Sequence, residues 1–190
     1  MPINICLFCS SSDSIHQEYF KIASEVGEII GLRTHTLVHG GGKIGLMGEV
    51  ARNTQKHGGK VLGIIPEKLK IKGVVSETDD ELIITPDMHT RKEMMRSKAD
   101  AFITLPGGFG TFEEILEVIT LKQLKYHEKP IVFVNTRNYF EHLFLLFEKS
   151  FEEKFALADF RQLYFVTESP KEAIDYIENY KAVDIRDKWL

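Results

Sequence analysis

Residues 35–65, HTLVHGGGKIGLMGEVARNTQKHGGKVLGII, contain the pattern that identifies the fold class. A short apolar run at 35–38 is followed by a glycine-rich loop, by a predicted helix from about 46 to 56, and by a second apolar run at 60–65. A strand, a helix and another strand in this order form the unit that joins neighbouring parallel strands.

The same alternation continues on both sides of this unit. It predicts further strands at 3–9, 81–85, 101–105, 131–134 and 163–166, and further helices at 14–32, 88–99, 111–125, 139–152 and 170–180. The segment 67–80 has no clear period and is predicted to be a loop. Strands that are apolar throughout favour a parallel sheet covered by helices on both faces. We therefore predict an α/β fold, a Rossmann-like doubly wound parallel sheet, with residues 1–190 as a single domain.

Composition and charge narrow the class of function. The 190 residues include 24 Lys and Arg against 28 Asp and Glu, a net charge of −4 that argues against nucleic acid as a partner. The longest apolar runs are no longer than a strand, and no secretory signal is evident, so neither a membrane span nor secretion is expected. Cys6 and Cys9 lie in a strand-like run and are predicted to be buried thiols in a cytoplasmic protein.

The first glycine loop contains the spacing G-x-G-x-x-G at Gly40, Gly42 and Gly45. Glycines between a strand and a helix allow backbone N–H groups to approach a phosphate at the helix start. Glu67 lies where a ribose-binding acid of a dinucleotide site would be expected, so an NAD(P)-dependent oxidoreductase is one alternative. A tight turn without a ligand explains the glycines equally well. Ile44 follows the lysine of this loop and offers no hydroxyl for Mg²⁺, which excludes a Walker A motif.

The second glycine loop, residues 106–114, reads PGGFGTFEE. Its N–H groups, the Thr111 hydroxyl and the dipole of the following helix together predict an anion site. Thr111 and Glu114 also have the spacing of a capping box, which stabilises a helix start without catalysis. Glu113 and Glu114 both point away from the apolar face of this helix, so either is able to reach a ligand.

A third motif, residues 87–92, reads DMHTRK. Arg91 and Lys92 fall in the first turn of a predicted helix, where the helix dipole disfavours cations. The pair therefore needs an anionic partner or solvent. None of the seven histidines has a metal partner at a recognisable spacing, so no metal is predicted.

Together the motifs PGGFGTFEE, GGGKIGLMG and MHTRK resemble those of the LONELY GUY (LOG) family, the cytokinin riboside 5′-monophosphate phosphoribohydrolases once labelled lysine decarboxylases. The resemblance implies hydrolysis of the N-glycosidic bond of a nucleoside 5′-monophosphate, cytokinin or adenosine, to free base and ribose 5-phosphate. It implies no cofactor and a homodimer or higher homo-oligomer. A non-catalytic nucleotide sensor or carrier on the same fold is the other alternative.

The resemblance also assigns residues. Arg91 and one glutamate carry catalysis; we assign Glu114 as the catalytic carboxylate and Glu113 as the ligand of a ribose hydroxyl, although the two could be exchanged. Substrate and phosphate binding are assigned to Gly107, Gly108, Phe109, Gly110, Thr111, Lys92, Thr120, Ser11, Gly41, Gly42 and Met88. A glutamate that the plant enzymes use near the base falls on Gly73. The sequence therefore leaves open whether the preferred base is of the isopentenyladenine type or adenine.

Overall fold

Seven parallel strands form one sheet in the computed structural model, which describes residues 1–185. The strands are β1 (Asn4–Phe8), β2 (Thr36–His39), β3 (Lys60–Pro66), β4 (Glu81–Thr85), β5 (Ala101–Thr104), β6 (Ile131–Val134) and β7 (Phe165–Thr167). Their order in the sheet is β4-β3-β2-β1-β5-β6-β7. This arrangement confirms the predicted α/β, Rossmann-like doubly wound sheet.

Residues 1–185 contain six α-helices, of which five lie between strands and the sixth follows β7. They are α1 (Gln17–Leu32), α2 (Gly45–Lys56), α3 (Met88–Lys98), α4 (Phe109–Gln123), α5 (Glu141–Glu152) and α6 (Pro170–Glu178). Short 3-10 turns occupy Glu67–Leu69, Thr136–Asn138 and Ala158–Leu163. Among the described residues, no helix is both long and apolar enough to cross a membrane.

The core consists of two apolar layers, one on each face of the sheet. One layer joins the sheet to α1, α2 and α6, and the other joins it to α3, α4 and α5. Alternate residues of β1 serve the two layers: Ile5 and Leu7 belong to the first, and Cys6 and Phe8 to the second. This double burial explains why consecutive residues of β1 are apolar instead of alternating with polar residues. Cys6 and Cys9 are buried free thiols, as predicted.

The predicted starts of one helix and one strand are wrong. Helix α4 begins at Phe109, with Gly108 as its N-cap and no side-chain cap, so Thr111 lies inside the first turn. The predicted Thr111–Glu114 capping box therefore does not form. At the other edge of the sheet, the strand predicted at 163–166 begins only at Phe165, because the chain up to Leu163 forms a 3-10 turn.

The strand order places the chain's reversal point between β1 and β5. Strands β2, β3 and β4 follow one another on one side of β1, and β5 lies on its other side, followed by β6 and β7. The loops that leave β1 and β5 lead to helices on opposite faces, α1 and α4. A crevice opens between such loops at the carboxyl ends of the strands, where ligands of open α/β sheets bind.

Candidate active site

A cleft of about 580 Å³ occupies this crevice. It is lined by the ends or following loops of β1, β2, β3 and β5 and by the first turns of α3 and α4. The lining residues are Cys9, Ser10, Ser11, Ser12, Gly40, Gly42, Met47, Ile65, Leu69, Val74, Met88, Arg91, Gly108, Phe109, Gly110, Thr111 and Glu114. The volume falls in the range of pockets that hold small molecules and cofactors.

The second glycine loop forms one wall of the cleft at the start of α4. Because no side chain caps this helix, its first N–H groups remain available to an anion. A Cβ atom at Gly108 or Gly110 would meet nothing within 4 Å, so both glycines face open space. At Gly107 a Cβ atom would lie 2.1 Å from the Thr111 hydroxyl oxygen, which shows how closely the loop folds on itself.

Two hydrogen bonds from elsewhere in the chain fix this loop. The Tyr139 hydroxyl donates to the Gly107 carbonyl at 2.6 Å, and the Ser10 N–H donates to the Pro106 carbonyl at 3.1 Å. Tyr139 also stacks on Phe112 of α4. The loop is therefore held open and ready before any ligand arrives, which lowers the entropy cost of binding.

The first glycine loop lies against the other side of the cleft. A Cβ atom at Gly40 would lie 2.2 Å from Arg91 Nη2, so glycine here leaves room for the guanidinium group. Gly41 and Gly45 have φ angles of +72° and +66°, which only glycine adopts without strain. A Cβ atom at Gly45 would also approach the Ser12 nitrogen to 2.6 Å. Close packing thus accounts for this loop's glycines.

This placement removes the support for a dinucleotide site. In dinucleotide-binding folds the glycine fingerprint follows the first strand, beside the reversal point. Here the fingerprint follows β2, and Glu67, the expected ribose ligand, does not line the cleft.

Arg91 and Glu114 form a buried ion pair in the cleft wall. Arg91 Nη1 lies 2.6 Å from Glu114 Oε1, and Arg91 Nε donates to the Ile64 carbonyl at 3.1 Å. Arg91 is 6% exposed and the Glu114 side chain 12%. Burial raises the pKa of Glu114, while the neighbouring Arg91 acts in the opposite direction. The result is a fixed carboxylate beside a guanidinium group, facing a site for an anion.

Both cations at the start of α3 have anionic partners, which is one of the two predicted outcomes. Asp87 caps this helix by accepting the Thr90 N–H at 2.8 Å, and that hydrogen bond lowers the pKa of Asp87. The Asp87 charge offsets the unfavourable dipole at Arg91 and Lys92. Lys92 itself pairs with Glu113 of α4.

Glu113 and Glu114 therefore differ in environment. The Glu113 side chain is 54% exposed, is bonded to Lys92 and does not line the cleft. The prediction that Glu113 binds a ribose hydroxyl finds no support in this geometry. Physically, the two carboxylates are one helical step apart, so only one of them faces the cleft.

The structure brings most of the other predicted residues together. The cleft contains Ser11, Gly42, Met88, Arg91, Gly108, Phe109, Gly110, Thr111 and Glu114. Gly41 and Gly107 belong to the same loops without lining the cleft, and Lys92 lies beside it on α3. Thr120 lies elsewhere: it lines an apolar groove between α4, α5 and the Ala158–Leu163 turn, and its hydroxyl donates to the Leu116 carbonyl.

Sequence reasoning missed several lining residues. Cys9 and Ile65 lie at or just after a strand end, a position that could have identified them. Leu69 and Val74 come from the aperiodic segment 67–80, which offered no signal. Within residues 1–185, no three His, Cys, Asp or Glu side chains are placed to hold a metal ion.

Comparison with known proteins adds the family. A protein family described as "Possible lysine decarboxylase" matches residues 47–177. The cytokinin riboside 5′-monophosphate phosphoribohydrolase LOG5 of Arabidopsis thaliana is 39% identical over 180 residues, covering 95% of this chain and 79% of LOG5. LOG4 of the same plant is 41% identical, covering 93% and 82% of the two chains. The probable phosphoribohydrolase LOGL6 of Oryza sativa subsp. japonica is 40% identical, covering 93% and 70%.

Solved structures agree on the fold. The molybdenum cofactor binding protein of Rippkaea orientalis superposes with a TM-score of 0.72 at 21% identity, covering 94% of this chain and 96% of that one. The Moco carrier protein of Chlamydomonas reinhardtii gives a TM-score of 0.70 at 20% identity, with the same coverage. At this identity the likeness concerns the fold alone. The family match and the plant relatives show that the chain belongs to the LONELY GUY (LOG) family.

Proposed function

We propose that this chain hydrolyses the N-glycosidic bond of nucleoside 5′-monophosphates to free base and ribose 5-phosphate. The observation that carries the proposal is the buried Arg91–Glu114 pair, set beside an uncapped helix start within one cleft. The names of the relatives describe this same activity.

The phosphate is assigned to the start of α4. The free N–H groups between Gly108 and Thr111, together with the helix dipole, favour an anion. Ser11 lines the cleft from the loop after β1 and adds a hydroxyl on the neighbouring side. Binding the phosphate here would hold the ribose over the first turns of α4, where Glu114 lies.

Glu114 is assigned as the catalytic carboxylate. Glycosidic cleavage passes through an oxocarbenium-like state, which a nearby carboxylate stabilises, and the same group is able to accept a proton from the attacking water. The C1′–N bond breaks, the water oxygen bonds to C1′, and a proton reaches the departing base nitrogen. The pKa of Glu114, raised by burial, suits a group that gains and loses a proton.

Arg91 is assigned to orient this carboxylate. Its bonds to Glu114 and to the Ile64 carbonyl fix the guanidinium group at both ends. A carboxylate held in one rotamer close to C1′ contributes to catalysis through orientation. Lys92 pairs with Glu113 and Glu117, and we retain for it an indirect role in binding through the surface of α3.

The base is assigned to the apolar part of the cleft. Ile65, Leu69, Val74 and Met47 line it, and Met88 lies at the start of α3. Apolar side chains around a planar ring are typical of base-binding pockets. This surface suits both adenine and an adenine with an apolar substituent, so the base preference is a question for kinetics.

We also expect a homodimer or higher homo-oligomer in the cytoplasm. Leu116 is exposed on α4 and lines the apolar groove that contains Thr120, and Leu145 and Leu146 are exposed on α5. Phe109 is 92% exposed at the cleft. Exposed apolar surface of this kind favours association. Light scattering should give at least twice the chain mass of 21.8 kDa, and a mass equal to one chain would contradict the expectation.

The direct test is an assay of base release. Purified protein is incubated with AMP, the other nucleoside monophosphates and isopentenyladenosine monophosphate, and the free base is measured by chromatography. Glu114→Gln should lose at least about a hundredfold in kcat, while Glu113→Gln, which removes the same charge from the adjacent position of the same helix, should stay within about threefold. Near-normal turnover in Glu114→Gln would refute the catalytic assignment. Binding of AMP without release of any base would favour the sensor or carrier.

A further inference from the structure

A second buried polar cluster lies beneath the first glycine loop. His39, the last residue of β2, is fully buried, and the Asp79 side chain is 1% exposed. His39 Nε2 lies 2.9 Å from Asp79 Oδ2, and the Ser76 hydroxyl donates to Asp79 Oδ1 at 2.5 Å. Both carboxylate oxygens therefore have partners, one from the sheet and one from the segment 67–80.

The neighbouring strand makes room for this carboxylate. Gly63 pairs with His39 in the register of β2 and β3. A Cβ atom at Gly63 would lie 2.2 Å from Asp79 Oδ2, so any larger residue would collide with the carboxylate. Glycine weakens a strand interior and marks places where another group approaches closely. The sheet is thus shaped to accept Asp79.

The His39 ring depends on this one bond. Its other nitrogen, Nδ1, is buried and has no hydrogen-bond partner in the part of the chain that the structure describes. A buried polar atom without a partner disfavours the folded state, so the contact with Asp79 must hold the ring. In a neutral ring, the Nε2–H group donates a hydrogen bond to the Asp79 carboxylate.

Asp79 anchors a segment that borders the cleft. We call residues 67–80 the crossover segment. Ahead of Asp79, the Ser76 N–H donates to the Gly41 carbonyl at 2.8 Å, and the Lys43 N–H donates to the Val74 carbonyl at 2.8 Å. These bonds form a short antiparallel contact with the first glycine loop, and Leu69 and Val74 of the same segment line the cleft.

We propose that His39 and Asp79 are positioning residues that hold the crossover segment against the first glycine loop, as the wall for the substrate's base. This inference rests on the proposed function, because it takes the base to lie beside Leu69 and Val74. The pair does not line the cleft. It acts through the segment, so it should affect substrate affinity more than the chemical step.

The test uses Asp79→Asn, which keeps the shape of the side chain. An amide is uncharged and has one acceptor oxygen, so it replaces two hydrogen bonds to a carboxylate by one neutral acceptor bond and one donor bond to the Ser76 oxygen, both of them weaker. Amide hydrogen exchange at Lys43 and Ser76 should become about tenfold faster, while amides of the central strands β1 and β5 stay protected. His39→Gln should have the same effect, and the double variant should add little, since both changes remove one interaction.

Kinetics then separate a positioning role from a loss of structure. In Asp79→Asn the KM for AMP should rise about tenfold with kcat within about twofold, equivalent to about 1.4 kcal/mol of binding. Inhibition by ribose 5-phosphate, which lacks a base, should be unchanged. Asp80→Asn is the matched control. Asp80 accepts the Val61 N–H at 2.8 Å, and along the chain it follows Asp79, whereas the cleft residues Leu69 and Val74 precede it. The KM of this variant for AMP should therefore stay near that of the parent.

Two results would overturn the proposal. Unchanged exchange at Lys43 and Ser76 in Asp79→Asn would show that the pair does not hold the segment. If AMP and ribose 5-phosphate both bound more weakly, and by the same factor, the effect would not be confined to the base. A parent protein that releases no base from any nucleotide would refute the proposed function instead, and the exchange measurement would still decide whether the pair holds the segment.

Discussion

Replacing Arg91 by methionine measures how much the buried Arg91–Glu114 pair contributes to the free energy of unfolding. Methionine keeps much of the length of the side chain but removes its donors to Glu114 and to the Ile64 carbonyl. Glu114 is then left as a buried carboxylate without its cation. Removing one partner of a buried pair costs about 3–5 kcal/mol, so the free energy of unfolding should fall by that amount at pH 8.

The loss should depend on pH. Burial already raises the folded-state pKa of Glu114 above its ordinary value of 4.5, and Arg91 opposes that rise. Without Arg91 the pKa rises further. A group whose pKa is raised on folding adds stability below its unfolded pKa, and this is lost as pH rises through the folded value. Between the unfolded and folded pKa values of Glu114, the free energy of unfolding of the variant should fall by about 1.4 kcal/mol per pH unit. A carboxyl group whose pKa does not change on folding would cause no such fall.

Urea denaturation followed by circular dichroism at pH 5, 6.5 and 8 measures this difference. The free energy of unfolding of Arg91→Met should be much closer to that of the parent at pH 5 than at pH 8. The control is Lys92→Met on the same helix turn, whose partner Glu113 is 54% exposed; its cost should stay below about 1 kcal/mol at every pH. A loss in Arg91→Met of equal size at pH 5 and pH 8 would refute the reasoning, because Glu114 would then not carry the cost of burial.

Three further outcomes follow from the glycine loops and the core. Gly108→Ala should leave stability within about 0.5 kcal/mol and raise the KM for AMP, whereas Gly107→Ala, whose Cβ would lie 2.1 Å from a side-chain oxygen, should lose about 1–3 kcal/mol in denaturation. Tyr139→Phe removes the bond to the Gly107 carbonyl and should cost about 1 kcal/mol, with a higher KM; an unchanged KM would show that the bond does not place the loop. Burial raises the pKa of the Cys6 thiol, so it should not react with a thiol reagent at pH 8 until the protein is unfolded in urea.

The sequence predicted those parts of the fold that depend on local pattern. Apolar strands and amphipathic helices follow from periodicity, and even the short strand β4 was placed correctly at Glu81–Thr85. Phe144, Phe147 and Phe151 recur at helical spacing in α5, and they pack against the second apolar layer. Such patterns are visible because each element buries one face regardless of its distant partners.

What the sequence could not provide depends on contacts between distant elements. The spacing of Thr111 and Glu114 indicated a capping box, but the glutamate instead pairs with Arg91, a residue 23 positions earlier. Likewise, Thr120 lies three turns along α4 from Gly108 and faces another surface of the helix. The crossover segment offered no period at all, yet it supplies part of the cleft wall. These outcomes are fixed by packing across elements rather than by local propensity.

The strand order has a consequence for how the cleft comes into being. Strand β1 lies between β2, which the chain reaches about 30 residues later, and β5, with which it pairs Ile5 to Ala101. The cleft straddles that second junction, so no earlier portion of the chain contains it. During synthesis, one edge of β1 stays unpaired until β5 has left the ribosome. Pairing β1 with β5 closes a long loop, and the entropy lost in closing it slows this step. We therefore expect activity to return in refolding only once β1 has paired with β5, after most helical structure has already formed.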